Sequence, residues 1–274
     1  MKPEKRQQTI LSLIRALQRE VTVEEIAAHF GTSTLTVRRD LERLVSDGLV
    51  VRTYGGCVLR NSLDTAFQRQ VGRNFKLKQA IGLAAAELVR PGETILIDDG
   101  STTFHLASNL ESRSPVTVVT NSIAVIPELA RFPDVQLEIL GGTYSRDTNF
   151  LGGSLSERLL EMLYFDALFV GADAIDQSGK CMVRLPEVAR LTQVMIRRTT
   201  RRFLLADHTK AGGHGYVSYG SLKDFDAWIT TTGMDPHLLR IYQEMTTVKE
   251  VLWSDRDETD DGELEIARTP EPVK

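Results

Sequence analysis

Thr22 to Arg52 reads TVEEIAAHFGTSTLTVRRDLERLVSDGLVVR, and this stretch decides the architecture of the N-terminal part. Thr22 with Glu25 three residues on forms a capping-box pattern, which starts a helix near Val23. Val23, Ile26, Ala27 and Phe30 then recur at helical spacing and predict one buried face. Gly31 supplies a left-handed residue that ends this helix and turns the chain. Ser33 is an N-cap for a second helix, whose apolar stripe is Val37, Leu41 and Leu44. Thr34, Leu35, Thr36, Arg38 and Arg39 lie off that stripe, in its first two turns. Gly48 and the run LVVRTYGGCVLR (49–60) read as strand, glycine turn and strand. Upstream, Arg6 to Leu17 predicts a further helix with Ile10, Leu13, Ile14 and Leu17 on its buried face.

This order of elements is that of a winged helix-turn-helix, whose second helix enters the DNA major groove. Such a helix touches base edges with its N-terminal residues, and Arg suits both guanine edges and phosphates. Ser33, Thr34, Thr36, Arg38 and Arg39 are therefore the candidate DNA contacts, with Arg52 and Arg60 on the wing placed to reach flanking phosphates. The bland alternative is a small helical domain with solvated arginines. Agreement of caps, turn, stripe and wing in order and spacing argues against it.

The chain has 274 residues, enough for two domains with cores of their own. Residues 1–60 carry 10 Lys/Arg against 7 Asp/Glu, a net of +3, and the remainder carries 23 against 30, a net of −7. A mildly basic head on an acidic body suits a DNA-reading module attached to something else. No stretch approaches the roughly 18 apolar residues of a membrane span. The N-terminus MKPEKRQQ lacks a signal-peptide core, so a cytoplasmic protein is expected. Two cysteines, Cys57 and Cys181, make neither a disulfide framework nor a metal site, and no cofactor or metal is expected. The predicted organisation is a winged helix-turn-helix over 1–60, a linker over 61–75, an α/β domain over 76–254 and an acidic tail over 255–274. That tail holds 8 acidic and 3 basic residues with two prolines and is expected to be disordered.

The body alternates strand and helix signals. Apolar runs recur at TILID (94–98), VTVVT (116–120), QLEIL (136–140), ALFVG (167–171), RFLLA (202–206) and AWITT (227–231). Helical patterns lie at Gln79–Val89, Ser122–Arg131 and Val188–Thr199. Continuous apolar strands between helices predict a mostly parallel sheet covered on both faces, so the fold class is α/β. Ligands of such sheets bind outside the carboxyl ends of the strands. Those ends are polar: Asp98-Asp99-Gly100-Ser101-Thr102-Thr103, Thr120-Asn121-Ser122, Gly141-Gly142, Gly171-Ala172-Asp173 with Asp176 beyond, and Asp207-His208-Thr209-Lys210. A small hydroxyl-rich loop entering a helix favours an anion such as phosphate. Each loop alone is ordinary turn chemistry; five on one edge favour a site for a polyhydroxylated phosphate ester.

The motifs TVRRDL with a following GG wing, LIDDGSTT, VVTNS, LGGTYSRDTNFLGG, FVGADAID and LLADHTK resemble the DeoR/GlpR family of bacterial sugar-metabolism repressors, over about residues 5–253. The sensor domain of that family is similar to ribose phosphate isomerase. The resemblance implies that Gly100, Ser101, Thr102 and Thr103, opening from Asp98, hold an effector phosphate. It places Asp173, Asp176 and Lys210 near the effector's hydroxyls or carbonyl, and Asn121 near the mouth. One departure stands out: the family's Glu and, four residues later, Lys ahead of the Met195-Ile196 pair are here Val188 and Thr192, with Glu187 one residue early.

The function expected is a DNA-binding regulator, a repressor of a carbohydrate-utilisation operon released by a phosphorylated sugar or polyol. It would act as a homodimer or homotetramer on a double-stranded operator, with no catalytic residues. The rivals are a sugar phosphate isomerase, which lacks a carboxylate at Val188, and a regulator whose body only oligomerises. His29 reads as a surface residue and Trp228 and Trp253 as packing residues; His208, beside the crevice, reads equally as a structural residue or an effector contact, and His214 as part of a surface loop rather than a loop closing over a ligand.

Overall fold

The computed structural model describes residues 3–17, 20–46, 49–53, 55–59, 66–146 and 148–253. The chain divides into two compact units, Met1–Phe75 and Lys76–Lys274. Among the described residues no helix is long and apolar enough to cross a membrane. Arg60, Gly48 and the expected tail 255–274 lie outside the described residues, as do 61–65 of the expected linker.

The first unit runs α1 (Pro3–Leu17), β1 (Val21–Thr22), α2 (Val23–Phe30), α3 (Thr34–Ser46), β2 (Val50–Arg52), β3 (Gly56–Leu59) and α4 (Ala66–Gly72). The last of these lies within the segment expected as a linker helix or hinge. The Thr22 and Glu25 capping box is formed reciprocally, and Gly31 ends α2 at φ 58°. The strands make one antiparallel sheet in the order β1-β3-β2. Val23, Ile26, Ala27, Val37, Leu41 and Leu44 are buried in a single cluster with Ile10, Leu11, Ile14, Val50 and Cys57. One expectation for α1 is corrected. Leu17 is 40 % exposed, and Leu11 occupies the core instead, because the buried face follows Ile10, Leu11 and Ile14.

The second unit opens with α5 (Phe75–Ala86), followed by β4 (Thr94–Ile97), α6 (Ser101–Ala107), β5 (Val116–Thr120), α7 (Ile126–Leu129), β6 (Val135–Ile139), β7 (Thr143–Ser145), β8 (Phe150–Gly152) and α8 (Ser154–Glu161). The rest comprises β9 (Phe165–Gly171), β10 (Ala174–Ile175), β11 (Lys180–Val183), α9 (Pro186–Arg197), β12 (Thr199–Leu205), β13 (Val217–Ser221), β14 (Ala227–Thr231), α10 (Pro236–Gln243) and β15 (Thr247–Val251).

Seven strands form a sheet in the order β15-β14-β12-β9-β4-β5-β6, and every pairing within it is parallel. Successive residues point to opposite faces, so the apolar runs feed two cores. Leu96, Leu168, Val170, Leu204 and Trp228 enter one. Ile95, Ile97, Ala167, Phe169, Phe203, Leu205 and Ile229 enter the other. The six expected strands are all present, joined by β15 as an unanticipated edge. A smaller antiparallel sheet, β10-β11-β13, and the β7–β8 hairpin were not expected either. From β4 the chain moves through β5 to β6, then crosses back to β9 on the other side of β4. The order therefore reverses between β4 and β9, which places the ligand-binding crevice of such a sheet outside their carboxyl ends.

Candidate nucleic-acid interface and effector site

The recognition-helix candidates divide by what their side chains already hold. Ser33 Oγ accepts from Thr36 N at 3.2 Å and contacts Thr36 Oγ1 at 2.9 Å, so both hydroxyls work as the cap of α3. Thr34, Arg38 and Arg39 are exposed. Neither arginine has an ion-pair or hydrogen-bond partner among the described residues. Asp40, the next residue, turns inward and is buried. It accepts from Arg6 Nε at 2.5 Å, Arg6 Nη2 at 3.2 Å and Gln7 Nε2 at 3.0 Å, tying α1 to α3. The same short run thus fixes the helix with one charge and offers two to solvent. Arg52 lies in β2, opposite Cys57 of β3. Gly56 is required there by close approach: a Cβ would meet the Val21 carbonyl oxygen at 2.1 Å, whereas one at Gly55 would meet nothing.

At the reversal point of the large sheet, Asp98 follows β4. Its carboxylate accepts from Gly171 N of β9 at 2.7 Å, Gly100 N at 2.9 Å and Thr103 Oγ1 at 2.7 Å. The Thr103 hydroxyl, fully buried, also reaches the Gly100 carbonyl at 2.7 Å. Asp98 and Thr103 therefore join β4, β9 and the first turn of α6, and their polar atoms are spent on the fold. Gly100 fits between them, since a Cβ would lie 3.0 Å from Asp98 Oδ1 and 3.1 Å from Thr103 Oγ1. Ser101 is half-buried and Thr102 is buried, and their hydroxyls have no partner among the described residues.

Asn121, at the end of β5, donates from Nδ2 to Asp99 Oδ1 at 3.2 Å. Asn121 and Ser122 are buried, and among the described residues Asn121 Oδ1 and Ser122 Oγ have no hydrogen-bond partner. Asp99 was not among the candidates. Burial, with Asp98 adding repulsion, pushes its carboxyl up to about 7. Burial also raises Asp98, against its three donors.

Asp173 lies just beyond β9; its Oδ2 accepts from Arg184 N at 3.0 Å and sits 3.6 Å from Arg184 Nε. Its charge is felt at both Asp98 and Asp99. Lys210 ends a short turn, His208–Lys210, after β12, half-buried and without a side-chain partner among the described residues. Asp176 follows β10. It caps the β10–β11 turn, accepting from Ser178 N at 2.9 Å, Ser178 Oγ at 2.7 Å and Lys180 N at 2.9 Å. Burial works to raise its carboxyl, but those bonds outweigh it and the group is lowered.

Thr192 is buried and its hydroxyl bonds back to the Val188 carbonyl at 2.9 Å within α9, while Glu187 is exposed at the start of that helix. His208 Nδ1 meets Thr231 Oγ1 at 2.8 Å and the ring stacks on Trp253, 6.3 Å between centroids. Trp228 is buried and donates to the Ala206 carbonyl at 2.8 Å. Cys57 and Cys181 are both buried, and neither is in a disulfide. Among the described residues no three His, Cys, Asp or Glu are grouped to hold a metal ion.

A winged helix-turn-helix unit and a parallel α/β unit with polar strand ends define a DNA-binding regulator with a sensing domain. Family models agree: residues 6–62 match the DeoR-like helix-turn-helix domain and residues 73–232 the DeoR C-terminal sensor domain. The chain belongs to the DeoR family of transcriptional regulators. It is 32% identical over 238 residues to the HTH-type transcriptional regulator GlpR of Haloferax volcanii, covering 86% of this chain and 92% of that one. It is 30% identical to the lactose phosphotransferase system repressor of Lactococcus lactis (90% and 98% covered). The glycerol-3-phosphate regulon repressor of Escherichia coli is likewise 30% identical (84% and 91% covered). Among solved structures, ribose 5-phosphate isomerase A of Methanocaldococcus jannaschii aligns with 50% of this chain and 55% of its own, at 17% identity and a TM-score of 0.38. So slight a likeness decides nothing about function.

Proposed function

We propose that this regulator represses a carbohydrate-utilisation operon and is released from its operator by a phosphorylated sugar or polyol. The observation that carries the proposal is the pair Arg38 and Arg39, exposed and without a partner among the described residues, on a helix whose next residue, Asp40, is locked inward. Thr34, Arg38 and Arg39 read the operator, Ser33 and Thr36 hold the reading helix in shape, and Arg52 adds a wing contact. Ser101, Thr102, Asn121 and Lys210 bind the effector, with Gly100 keeping the loop tight and Asp173 at the rim. Relatives named for the lactose phosphotransferase system and for the glycerol-3-phosphate regulon support a phosphorylated carbohydrate as ligand class. The protein acts as an even-numbered homo-oligomer on half-sites about 34 Å apart or a multiple. Effector acts by binding the arrangement that does not match the operator more tightly than the one that does.

The body serves as sensor rather than enzyme. An isomerase needs a carboxylate poised over the transferred proton, and the corresponding position holds Val188. With Thr192 bonded into its own helix, effector contact from α9 falls to Glu187 or is absent. The deciding experiment is fluorescence anisotropy on DNA from upstream of the protein's own gene, with and without a panel of sugar and polyol phosphates. Specific binding released by one phosphate is the expected result. Specific binding that no phosphate alters would leave the body as an oligomerisation unit, and turnover in a coupled isomerase assay would overturn the regulatory reading.

A further inference from the structure

The helix α8, SLSERLLE, divides its surface in an unusual way. Ser156 and Leu160 face the core. Leu155 and Leu159, with Met162 at the C-cap, recur at helical spacing on another face and are 63%, 37% and 78% exposed. Tyr164, just beyond, is 74% exposed and carries Arg198 over its ring at 5.0 Å. An apolar stripe of this kind on a helix ordinarily faces a partner. Arg158 borders the stripe and Glu161 lies one step further round the open side, both exposed and unpaired among the described residues; Glu157, a turn before Glu161, meets Arg190 at 3.7 Å.

The spacing of these residues identifies the partner. When two copies of one helix pack antiparallel about a two-fold axis, residue heights invert while the flank is preserved. An axis passing between Leu159 and Leu160 sets Leu159 beside Leu159 of the second copy. Leu155 then lies near Met162 of the second copy. On the one open flank, Arg158 comes level with Glu161 of the second copy, and Glu161 with Arg158, so two opposite-charge pairs close from two residues. A partner of unrelated sequence would need to supply a matching acid and base in inverted order; a second copy supplies them by symmetry.

We infer that α8 is the two-fold interface through which two sensor domains of this protein associate, with Leu155, Leu159 and Met162 at its centre and reciprocal Arg158–Glu161 pairs along its edge. The inference rests on the proposed oligomeric regulator and assigns its contact face. It also supplies the physical link from sensing to DNA spacing. The Gly141 carbonyl, at the end of β6 on the polar edge, accepts from Ser156 Oγ of α8 at 2.5 Å, so the edge and the interface helix are directly joined.

Light scattering and sedimentation velocity of the full-length protein at micromolar concentration test this. The wild type is expected at twice the chain mass or an even multiple. Leu159→Glu should at least halve that mass while leaving the circular dichroism spectrum unchanged. Arg158→Glu and Glu161→Arg should each weaken association about tenfold or more, and the double variant should restore it, which a folding defect would not do. Unchanged mass for Leu159→Glu, or no rescue by the double swap, overturns the interface. A monomeric wild type overturns it as well. Operator anisotropy separates the two levels: wild-type binding that a phosphate releases upholds the regulatory reading even where α8 fails, and absent operator binding removes that reading while the mass measurement still decides α8.

Discussion

The reading helix and the strand-end crevice are both built from small polar and charged residues, yet they use them in opposite ways. In α3, Arg38 and Arg39 stay free and a single neighbour, Asp40, does the anchoring through Arg6 and Gln7. At the crevice, a residue of the right chemical type is held by its own scaffold: Asp98 accepts from Gly100, Thr103 and Gly171. A helix end draws its support from neighbours along one segment, so its outer face is left unspent. A crevice between separate strands must first be held together, and the residues nearest the gap do the holding.

The largest effect that would break this contrast is at Asp98. Asp98→Ala strands two backbone amides and a hydroxyl, and unsatisfied buried donors cost about 1–3 kcal/mol each before relaxation. The body should lose roughly 3 kcal/mol or more in a urea titration, with tail-independent, cooperative unfolding at lower midpoint. If stability holds and only effector response disappears, Asp98 is a ligand contact after all and the contrast fails.

Next in size is the pair of neighbours in α3. Arg38→Ala should weaken operator binding by about 1–3 kcal/mol, roughly 5- to 150-fold, with the melting of the head unchanged. Asp40→Ala should do the reverse in kind: it lowers head stability by about 2 kcal/mol through the lost charged hydrogen bonds and affects DNA only as the head unfolds. Anisotropy and thermal melts on the two variants separate reading from anchoring. Equal effects of both on both measurements would erase the division.

A smaller effect is expected at Asp176. Asp176→Ala removes a turn cap, costing about 1 kcal/mol of stability. Effector affinity by isothermal titration should stay within about twofold of wild type. A tenfold loss would return Asp176 to the ligand set.

The head was legible almost residue by residue because its signals are local. The Thr22–Glu25 box, the left-handed Gly31 and the stripe Val37, Leu41, Leu44 each sit within a turn or two of what they specify. The wing's third strand, Val21–Thr22, was not legible, since only its pairing with Gly56 and Cys57 makes it a strand. In the body the six apolar runs announced themselves. The strand β15, TVKEV, did not, because an edge position tolerates polar residues and breaks the run. Likewise Ser122–Arg131 carries a helical pattern, but only Ile126–Leu129 forms a helix, as Thr120, Asn121 and Ser122 are drawn into the strand end. At the crevice the polar edge could be foreseen, but not which acid would hold it. Asp98 and Asp99 are adjacent and identical in type, and only the register of β4 against β9 sends the first inward to Gly171 and leaves the second beside Asn121.

That adjacency gives the smallest and sharpest test. The Asp99 carboxyl is raised to about 7, first by burial and then by Asp98, so the folded body holds a proton that the unfolded chain releases near the ordinary carboxylate range. The folded pKa lies above the unfolded one, so this contribution to stability is complete below about pH 4 and is lost as pH rises through about 7. Asp99→Asn should flatten that decline and leave the body more stable than wild type above neutrality, read as a difference in melting temperature between about pH 5.5 and 8. It keeps the oxygen that accepts from Asn121 and removes the charge. The effector follows the same sign: a phosphate ester placed among Asp98, Asp99 and Asp173 meets less repulsion while Asp99 is protonated. Its affinity should therefore fall from pH 6 to 8 in the wild type beyond what the phosphate's own ionisation accounts for, and less in Asp99→Asn. Identical pH profiles for the two proteins would mean that Asp99 is ionised throughout, and that the crevice, like the face of α3, leaves its charge free.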